Sequence, residues 1–139
     1  MQAPRVEVMK LRVYFGECDP AGIVFFPNFI RWFDASSRYY FDRCGVPSWH
    51  ITEKTHGIIG TPVVEINTRF LKSATYGEEL EIHTSVVEWH RKVFVHRHVA
   101  YREGEMLAEA EEKRLFVRRD ETGHIRAVMV PEDFKAMCA

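Results

Sequence analysis

The hydrophobic and polar residues of this chain change their period from segment to segment, and each period predicts a different element. The first is an alternation in residues 5–15, which predicts a half-buried strand. The side chains predicted to share one face of that strand are Met9, Leu11, Val13 and Phe15. Beyond them the two-residue period ends, and the chain enters a turn rich in Pro and Gly.

Residues 27–43 predict a long helix that is apolar in nearly every direction around its axis. Pro27 suits a first helical turn, where its missing N–H costs nothing, and Gly45 supplies a stop signal. Other parts of the protein are therefore expected to cover most sides of this helix. Asp34 stands within the apolar run, and a carboxylate there needs a hydrogen-bond partner or must be neutralised. Two local partners lie at helical spacing, Arg31 and Arg38.

The rest of the chain is predicted to form one short helix and then mostly strands. Residues 48–56 predict the helix, and residues 58–71, rich in β-branched side chains, predict a long strand. Gly60 and Pro62 mark an edge or a bulge near the start of that strand. Helical propensity is high in residues 105–119, but the polar turn before them favours a hairpin. The remaining strands are predicted at residues 80–89, 93–101, 105–119 and 125–130, with a terminal helical turn from Pro131.

This order of elements predicts an α+β fold in which one long apolar helix packs against a curved antiparallel sheet. With 139 residues, the chain fits a single domain, residues 1–139. A single sheet covered by one helix leaves a face or an edge exposed. Pairing with a second copy would cover that surface, so we predict a homo-oligomer.

Composition narrows the classes of function. A formal net charge of −1 argues against general nucleic-acid binding. No apolar run approaches the ~20 residues of a membrane helix, and the first residues lack the apolar core of a secretory signal, so a cytoplasmic protein is expected. Three cysteines, an odd number without metal-ligand spacing, argue against a disulfide scaffold and a zinc site.

The best candidate for chemistry is Asp19, in the turn before the long helix. Pro20 fixes one backbone angle and Gly22 permits conformations closed to other residues, so backbone geometry would hold the carboxylate. The turn lies just ahead of a helix N-terminus, which stabilises anions. Taken alone, an aspartate before a proline is usually a plain turn residue. Cys18 is an alternative nucleophile, but no local histidine accompanies it, which favours a buried, inert thiol.

A second candidate site is the pair His96 and His98, which share one strand face. The two side chains could bind a metal. Two such ligands without a third are more typical of packed polar side chains, so no metal is expected.

Residues 15–24 have the sequence FGECDPAGIV and lead through an aromatic pair into the long helix. Further landmarks follow along nearly the whole chain, including Pro27-Asn28, Arg31-Trp32, Asp34-Ala35, Gly60-Thr61-Pro62, Glu88-Trp89, Arg91-Lys92 and Arg126-Ala127. With these residues the chain resembles the hotdog-fold acyl-CoA thioesterases, and most closely the 4-hydroxybenzoyl-CoA thioesterase family. The resemblance implies the hotdog fold, in which a curved antiparallel β-sheet wraps one long helix.

The resemblance also implies a hydrolase that cleaves an acyl-CoA thioester to a carboxylate and free CoA, without metal or organic cofactor. Asp19 would act as nucleophile or as general base for water, and the Phe26 backbone N–H would polarise the thioester carbonyl. The residues implied to bind the acyl group are Trp32, Asp34 and Thr61, with Asp34 receiving a ring hydroxyl. Those implied to hold the CoA phosphates are His90, Arg91, Lys92 and Arg126. Family members assemble as tetramers built from dimers, with active sites between subunits.

Three positions bear on how far the resemblance reaches. The family often has Tyr where this chain has Phe26, which matters little because the implied donor is a backbone N–H. A third basic side chain often stands at the position of His90, so phosphate binding would be weaker or differently arranged here. A related branch of bacterial acyl-CoA thioesterases carries His after the aromatic pair, where this chain has Pro27, and is therefore less similar.

Three hypotheses follow. The first is an aroyl-CoA thioesterase, with 4-hydroxybenzoyl-CoA as substrate. The second is a broader short-chain or aryl acyl-CoA thioesterase in which Asp34 is only structural. The third is a non-catalytic hotdog module that binds acyl-CoA or simply dimerises.

Overall fold

Seven antiparallel strands and one long helix make up most of the computed structural model, which describes residues 3–139. The strands are β1 (Val6–Arg12), β2 (Ile58–Gly60), β3 (Val63–Phe70), β4 (Glu79–Trp89), β5 (Val93–Arg102), β6 (Glu105–Arg119) and β7 (Ile125–Val128). The helices are α1 (Pro27–Cys44), α2 (Trp49–His56) and α3 (Glu132–Met137), and a 3-10 turn spans Phe15–Glu17. The α+β layout predicted from the sequence is confirmed.

The sheet is organised around β6, its longest strand. Strands β1, β4, β5 and β6 pair in that order, and β6 also pairs with β2, β3 and β7. The strand predicted over residues 58–71 is divided into β2 and β3 at Thr61 and Pro62, because Pro62 has no N–H for the ladder. Residues 105–119 form the predicted strand, since pairing with neighbouring strands on the sheet outweighs their helical propensity.

Helix α1 packs one face on the sheet and leaves the other exposed. The buried face holds Phe29, Trp32, Phe33, Ser36, Ser37, Tyr40, Phe41 and Cys44. Arg31, Asp34 and Asp42 lie on the exposed face. The expectation that the helix is covered on most sides is therefore wrong for the single protomer, because the sheet reaches only one face.

The alternation predicted for the first strand holds only as far as Val13. Val13 is 1% exposed, whereas Phe15 is 75% exposed. The reason is local: β1 ends at Arg12, and the 3-10 turn that begins at Phe15 breaks the two-residue period. Phe15 is thus not part of the core.

Strand β3 lies at an edge of the sheet. Within residues 3–139 it pairs with β6 alone. Seven of its eight residues are exposed, among them Val64, Ile66 and Phe70. An edge with exposed apolar side chains is a surface that natural proteins usually cover.

No helix in the described part of the chain has both the length and the apolar content needed to cross a membrane.

Candidate active site

The carboxylate of Asp19 is held by its own turn. The Asp19 N–H donates to the Ile23 carbonyl (2.8 Å), and the Gly22 N–H donates to the Asp19 carbonyl (2.9 Å). The Ala21 N–H donates to Asp19 Oδ1 (2.8 Å), which fixes the side chain. Gly22 has φ +82°, a backbone conformation that favours glycine. Asp19 Oδ2 accepts no hydrogen bond from residues 3–139, so the half-buried carboxylate keeps one oxygen available.

The neighbouring segment at Ala74 and Thr75 fastens the second half of this turn. The Val24 N–H donates to the Ala74 carbonyl (2.8 Å), and Thr75 Oγ1 donates to the Gly22 carbonyl (2.6 Å). A single antiparallel bridge joins Cys18 to Val24 and closes the loop. Cys18 is half-buried, not buried as predicted, because it lies in this loop and not in the sheet. The Asp19 turn is therefore a rigid loop.

Helix α1 begins immediately after Phe26 and offers one free donor. The Asn28 N–H donates to the Phe25 carbonyl (2.9 Å), and the Phe29 N–H donates to the Phe26 carbonyl (3.1 Å). The Phe26 N–H donates to no acceptor within residues 3–139, and the next residue, Pro27, has no N–H. A free N–H at a helix start can stabilise negative charge on a bound group. The structure thus places the predicted donor, Phe26, on the same loop-to-helix junction as Asp19.

Glu17, which was not singled out from the sequence, joins the loop to the helix. Its Oε1 accepts the Tyr14 N–H (2.8 Å) and its Oε2 accepts the Trp32 Nε1–H (3.2 Å). Its carbonyl accepts Asn28 Nδ2 (2.8 Å). Trp32 is 8% exposed and packs edge-on against Phe29. Trp32 is one of the residues predicted to bind the acyl group, and in the protomer it supports the Asp19 turn through Glu17.

Asp34 and Thr61, the other two predicted acyl-binding residues, lie in a separate groove. The groove has a volume of about 440 Å³. Its lining includes Asp34, Arg38, Trp49, Thr61, Pro62 and Arg114. Asp34 lies eight residues after Phe26, roughly 12 Å farther along a helix axis. The lining does not include Asp19, so one protomer keeps the two predicted parts of the site apart.

The partner of Asp34 is Arg114, not Arg31 or Arg38. Asp34 Oδ1 accepts Arg114 Nη2 (2.9 Å), although the Asp34 side chain is 70% exposed. Arg31 instead donates to Asn28 Oδ1 (3.0 Å). Arg38 donates to the Val46 carbonyl (2.6 Å) and lies over the Trp49 ring. The local pair considered from the sequence does not form, because these two arginines are engaged elsewhere and β6 brings a buried guanidinium to the exposed face of α1.

Arg114 heads a chain of buried polar side chains. Its Nε donates to Glu112 Oε1 (3.0 Å) and its Nη2 to Glu112 Oε2 (3.1 Å). Glu112 is hydrogen-bonded to His98 Nε2. The chain continues from His98 Nδ1 to Thr84 Oγ1 (2.7 Å), and from there to Ser36 Oγ (2.7 Å). All five residues are at most 3% exposed.

The protons of this network can be assigned from its chemistry. Burial opposes ionisation of Glu112, but the hydrogen bond with His98 and the charge of Arg114 outweigh it and lower the pKa of Glu112. Burial lowers the pKa of His98, against the raising effect of Glu112. A neutral His98 therefore donates from Nε2 to the carboxylate and accepts the Thr84 hydroxyl at Nδ1. Thr84 in turn accepts the Ser36 hydroxyl.

His96 lies beside this network and carries an orphaned nitrogen. Its Nδ1 is 2.8 Å from Ser37 Oγ, while its buried Nε2 has no partner in residues 3–139. Burial, with the nearby His98 and Arg114, lowers the pKa of His96 well below its usual value. His96, His98 and Glu112 offer ligand atoms within 4.8 Å of one another. The group fits a metal poorly, since His98 and Arg114 already use the Glu112 oxygens and the guanidinium adds positive charge.

The predicted phosphate-binding residues form a third, exposed group. His90, Arg91 and Lys92 lie in the turn between β4 and β5. The Val130 N–H donates to the Arg91 carbonyl (2.9 Å), which ties the segment after β7 to this turn. Arg126 lies on β7, and its Nε donates to Asp120 Oδ2 (2.8 Å).

Two of these four residues, His90 and Arg126, have a carboxylate beside them. The hydrogen bonds from Thr122 and Arg126 lower the pKa of Asp120. His90 Nε2 lies 3.6 Å from Glu88 Oε1. Carboxylates therefore neighbour two of the four residues predicted to bind phosphate, and Arg91 and Lys92 are the more available pair.

Sequence reasoning missed Arg114 and Glu112, although one signal was present. Ala108, Ala110, Glu112, Arg114 and Phe116 alternate along β6, and all are buried. An inward strand face that passes from alanine to an acid, a base and an aromatic residue indicates a buried ion pair.

A comparison with family models identifies the class of protein that this chain represents. Residues 13–137 match the model described as the thioesterase-like superfamily. The chain belongs to this superfamily. The thioesterase resemblance predicted from the Asp19 segment is therefore confirmed.

Individual members of the superfamily are similar over nearly the full chain. A 4-hydroxybenzoyl-CoA thioesterase from Pseudomonas sp. (strain CBS-3) is 44% identical over 136 residues, which are 94% of this chain and 96% of that protein. A crystal structure of a mutant 4-hydroxybenzoyl-CoA thioesterase complexed with 4-hydroxybenzoyl-CoA matches with a TM-score of 0.93 and 43% identity, covering 97% of this chain and 99% of that one. A gentisyl-coenzyme A thioesterase matches with a TM-score of 0.81 and 29% identity, covering 95% and 98%. These neighbours confirm the predicted hotdog fold.

Proposed function

We propose that this chain hydrolyses aroyl-CoA thioesters, with 4-hydroxybenzoyl-CoA as its preferred substrate, and that Asp19 is the reacting carboxylate. The observation that carries the proposal is the Asp19 turn, which fixes a half-buried carboxylate ahead of a helix start with a free N–H. The substrate follows from the 4-hydroxybenzoyl-CoA thioesterase that is 44% identical over 94% of this chain.

The chemistry uses one carboxylate and one backbone donor. Asp19 either attacks the thioester carbon or removes a proton from the water that attacks it. Negative charge then grows on the carbonyl oxygen, where the Phe26 N–H and the positive end of α1 stabilise it. Such a donor contributes about 3–4 kcal/mol in a well-studied hydrolase. The C–S bond breaks, and the sulfur takes up a proton and leaves as CoA thiol. When water is the nucleophile, the acyl group leaves directly as a carboxylate. When Asp19 is the nucleophile, water then hydrolyses the acyl–Asp19 anhydride, which releases the carboxylate and restores Asp19.

The groove beside Asp34 suits the acyl group. Asp34 Oδ2 accepts no hydrogen bond from residues 3–139, and the side chain is exposed. A phenolic hydroxyl is a donor that this oxygen can accept. Thr61 lines the same groove. Trp32 contributes indirectly, because its indole N–H binds Glu17 next to the Asp19 turn.

The exposed turn between β4 and β5 suits the nucleotide end of CoA. Arg91 and Lys92 supply the main charges for its phosphates, with His90 and Arg126 at the margin of that surface. Guanidinium and ammonium groups bind phosphate oxygens through charge-assisted hydrogen bonds.

The active enzyme is a tetramer built from dimers, with each site shared between subunits. The Asp19 turn and the groove at Asp34 lie apart in one protomer, so a complete site needs surfaces of two copies. The edge strand β3 supports such pairing, because Val64, Ile66 and Phe70 are exposed along it. The exposed rings of Phe25 and Phe26 add apolar surface next to the catalytic loop.

Thiol release from a panel of CoA thioesters tests the proposal. The panel contains 4-hydroxybenzoyl-CoA, benzoyl-CoA and butyryl-CoA, assayed with the unmodified protein, with Asp19→Asn and with Asp42→Asn, an exposed carboxylate on α1 that serves as control. We expect the fastest release from 4-hydroxybenzoyl-CoA and a loss of about a thousandfold in Asp19→Asn alone.

The other hypotheses give different results in the same assay. Equal rates across the panel would replace the proposal with a broad acyl-CoA thioesterase. Stoichiometric binding without free thiol would replace it with a binding module. Full activity in Asp19→Asn would remove Asp19 from the mechanism.

A further inference from the structure

We infer that Arg114 is a specificity-determining positioning residue: it fixes the Asp34 carboxylate at the acyl groove so that the site selects acyl groups carrying a hydroxyl donor. This inference rests on the proposed function, because it concerns the choice among aroyl thioesters. It concerns a residue that lies in β6, 80 positions along the chain from Asp34.

The guanidinium of Arg114 is held on three sides. Its Nε and Nη2 bind the two oxygens of Glu112. Its Nη1 donates to the Thr61 carbonyl (2.8 Å), and its Nη2 also donates to Asp34 Oδ1 (2.9 Å). Arg114 is 3% exposed, so these contacts are largely shielded from water. One planar group therefore links the core to Asp34 and to the Thr61 carbonyl, two polar groups at the groove.

This arrangement changes what Asp34 can do. A carboxylate that is 70% exposed normally rotates freely, and an exposed ion pair holds it only weakly. Here the cationic partner is buried and already oriented by other contacts, so the carboxylate has a fixed direction before a ligand arrives. A preorganised acceptor loses less entropy when a ligand hydroxyl binds.

The buried residues next to Arg114 neutralise its charge without Asp34. Glu112 is the counter-ion of Arg114 within the core, and His98 donates to Glu112. Thr84 bonds to the other ring nitrogen of His98, and Ser36 bonds to Thr84. Because Glu112 balances the guanidinium, Asp34 is not needed for that purpose and can accept a hydrogen bond from the ligand. The Asp34 carboxylate thus offers an acceptor to a neutral hydroxyl on the acyl group.

The test compares two substrates and two readouts. The ratio of kcat/KM for 4-hydroxybenzoyl-CoA over benzoyl-CoA is measured in the unmodified protein, Arg114→Lys and Arg114→Met. Dissociation constants of the same two thioesters are measured by calorimetry for each form in an Asp19→Asn background, where turnover is slow. Arg97→Lys is the matched control, since Arg97 pairs with Glu109 away from the groove.

The expected result is a loss of selectivity. The ratio of kcat/KM values should fall about tenfold in Arg114→Met. It should fall less in Arg114→Lys, because lysine keeps the positive charge but lacks the planar set of guanidinium donors. Arg97→Lys should leave the ratio unchanged. The loss should vanish in an Asp34→Asn background, because Arg114 acts through that carboxylate.

Two outcomes would overturn the inference. In the first, folded variants lose kcat/KM equally for both substrates, which would assign Arg114 a purely structural role. In the second, Arg114→Met does not fold and Arg114→Lys keeps the ratio unchanged, which would lead to the same conclusion. Failure of the proposed function gives a different pattern, in which the unmodified protein releases no thiol from either substrate. The calorimetric preference for the hydroxylated thioester then still reports on Arg114.

Discussion

Asp19 and Asp34 flank the start of α1, and the protein holds their carboxylates in opposite ways. Asp19 is fixed by the backbone N–H of Ala21, two residues away. Asp34 is fixed by the side chain of Arg114, 80 residues away. The first arrangement is encoded in a short segment, while the second exists only when the whole sheet has formed. The proposed reacting group thus relies on local backbone structure, and the proposed selecting group relies on the packed core.

The largest effect on stability is expected from a change in the buried residues that hold Arg114. Glu112→Ala removes the buried acid that pairs with Arg114 and His98, and leaves a charge in the core without its main partner. We expect the free energy of unfolding to fall by about 3 kcal/mol. Urea unfolding measures this change.

The neighbouring Glu111→Ala is the matched control for that experiment. Glu111 is exposed on the other face of β6, so its removal should change the free energy of unfolding by less than about 0.5 kcal/mol. Equal changes in the two variants would show that the buried chain of polar side chains does not stabilise the fold.

A smaller effect concerns the response to acid of His96, which lies beside the buried network. Burial holds the pKa of His96 well below its usual value of 6.5. Below that value the unfolded chain binds a proton that the folded chain does not, so stability falls as the pH falls. Between about pH 7.5 and about pH 5.5, this one residue should remove about 1.4 kcal/mol from the free energy of unfolding.

Replacing His96 with Gln tests that pH dependence. Gln does not titrate and can still bond to Ser37 Oγ, so His96→Gln should lose about 1.4 kcal/mol less than the unmodified protein over the same interval. His50→Gln, at an exposed position on α2, should change nothing. An unaltered pH dependence in His96→Gln would mean that folding does not lower the pKa of His96.

The smallest expected effect comes from the Asp19 turn. Gly22 has φ +82°, and no atom lies within 4 Å of the position that a Cβ would take. Gly22→Ala therefore meets only backbone strain, and we expect a loss of about 1 kcal/mol in the free energy of unfolding. Gly16→Ala, in the 3-10 turn just before that loop and without a positive φ, should be nearly neutral. A neutral Gly22→Ala would show that the turn adapts and does not hold Asp19 rigidly.

The same contrast explains what could be predicted from the sequence. Helix α1 was predicted over residues 27–43 and ends at Cys44, because Pro27 and Gly45 are local signals. The Asp19 turn was recognised for the same reason. The partner of Asp34 was not, since Arg31 and Arg38 offered nearer candidates and the spacing of β6 from α1 is set by the sheet.

Burial on α1 was overestimated for a related reason. An apolar helix predicts cover on most sides, but the sheet of one protomer supplies only one covering face. The alternation predicts that Phe15 shares a strand face with Val13, and a 3-10 turn interrupts that alternation. Local patterns thus identified the elements and the Asp19 turn, while the contacts between elements required the structure.

The central claim is that Asp19 performs the chemistry and that the groove at Asp34 selects the substrate. The most direct measurement is thiol release from 4-hydroxybenzoyl-CoA and benzoyl-CoA by Asp19→Asn, with folding verified by urea unfolding. The account predicts that both rates fall together, by about a thousandfold, and that their ratio is kept. A folded Asp19→Asn that retains its rate, or that loses only its preference for the hydroxylated substrate, would contradict it.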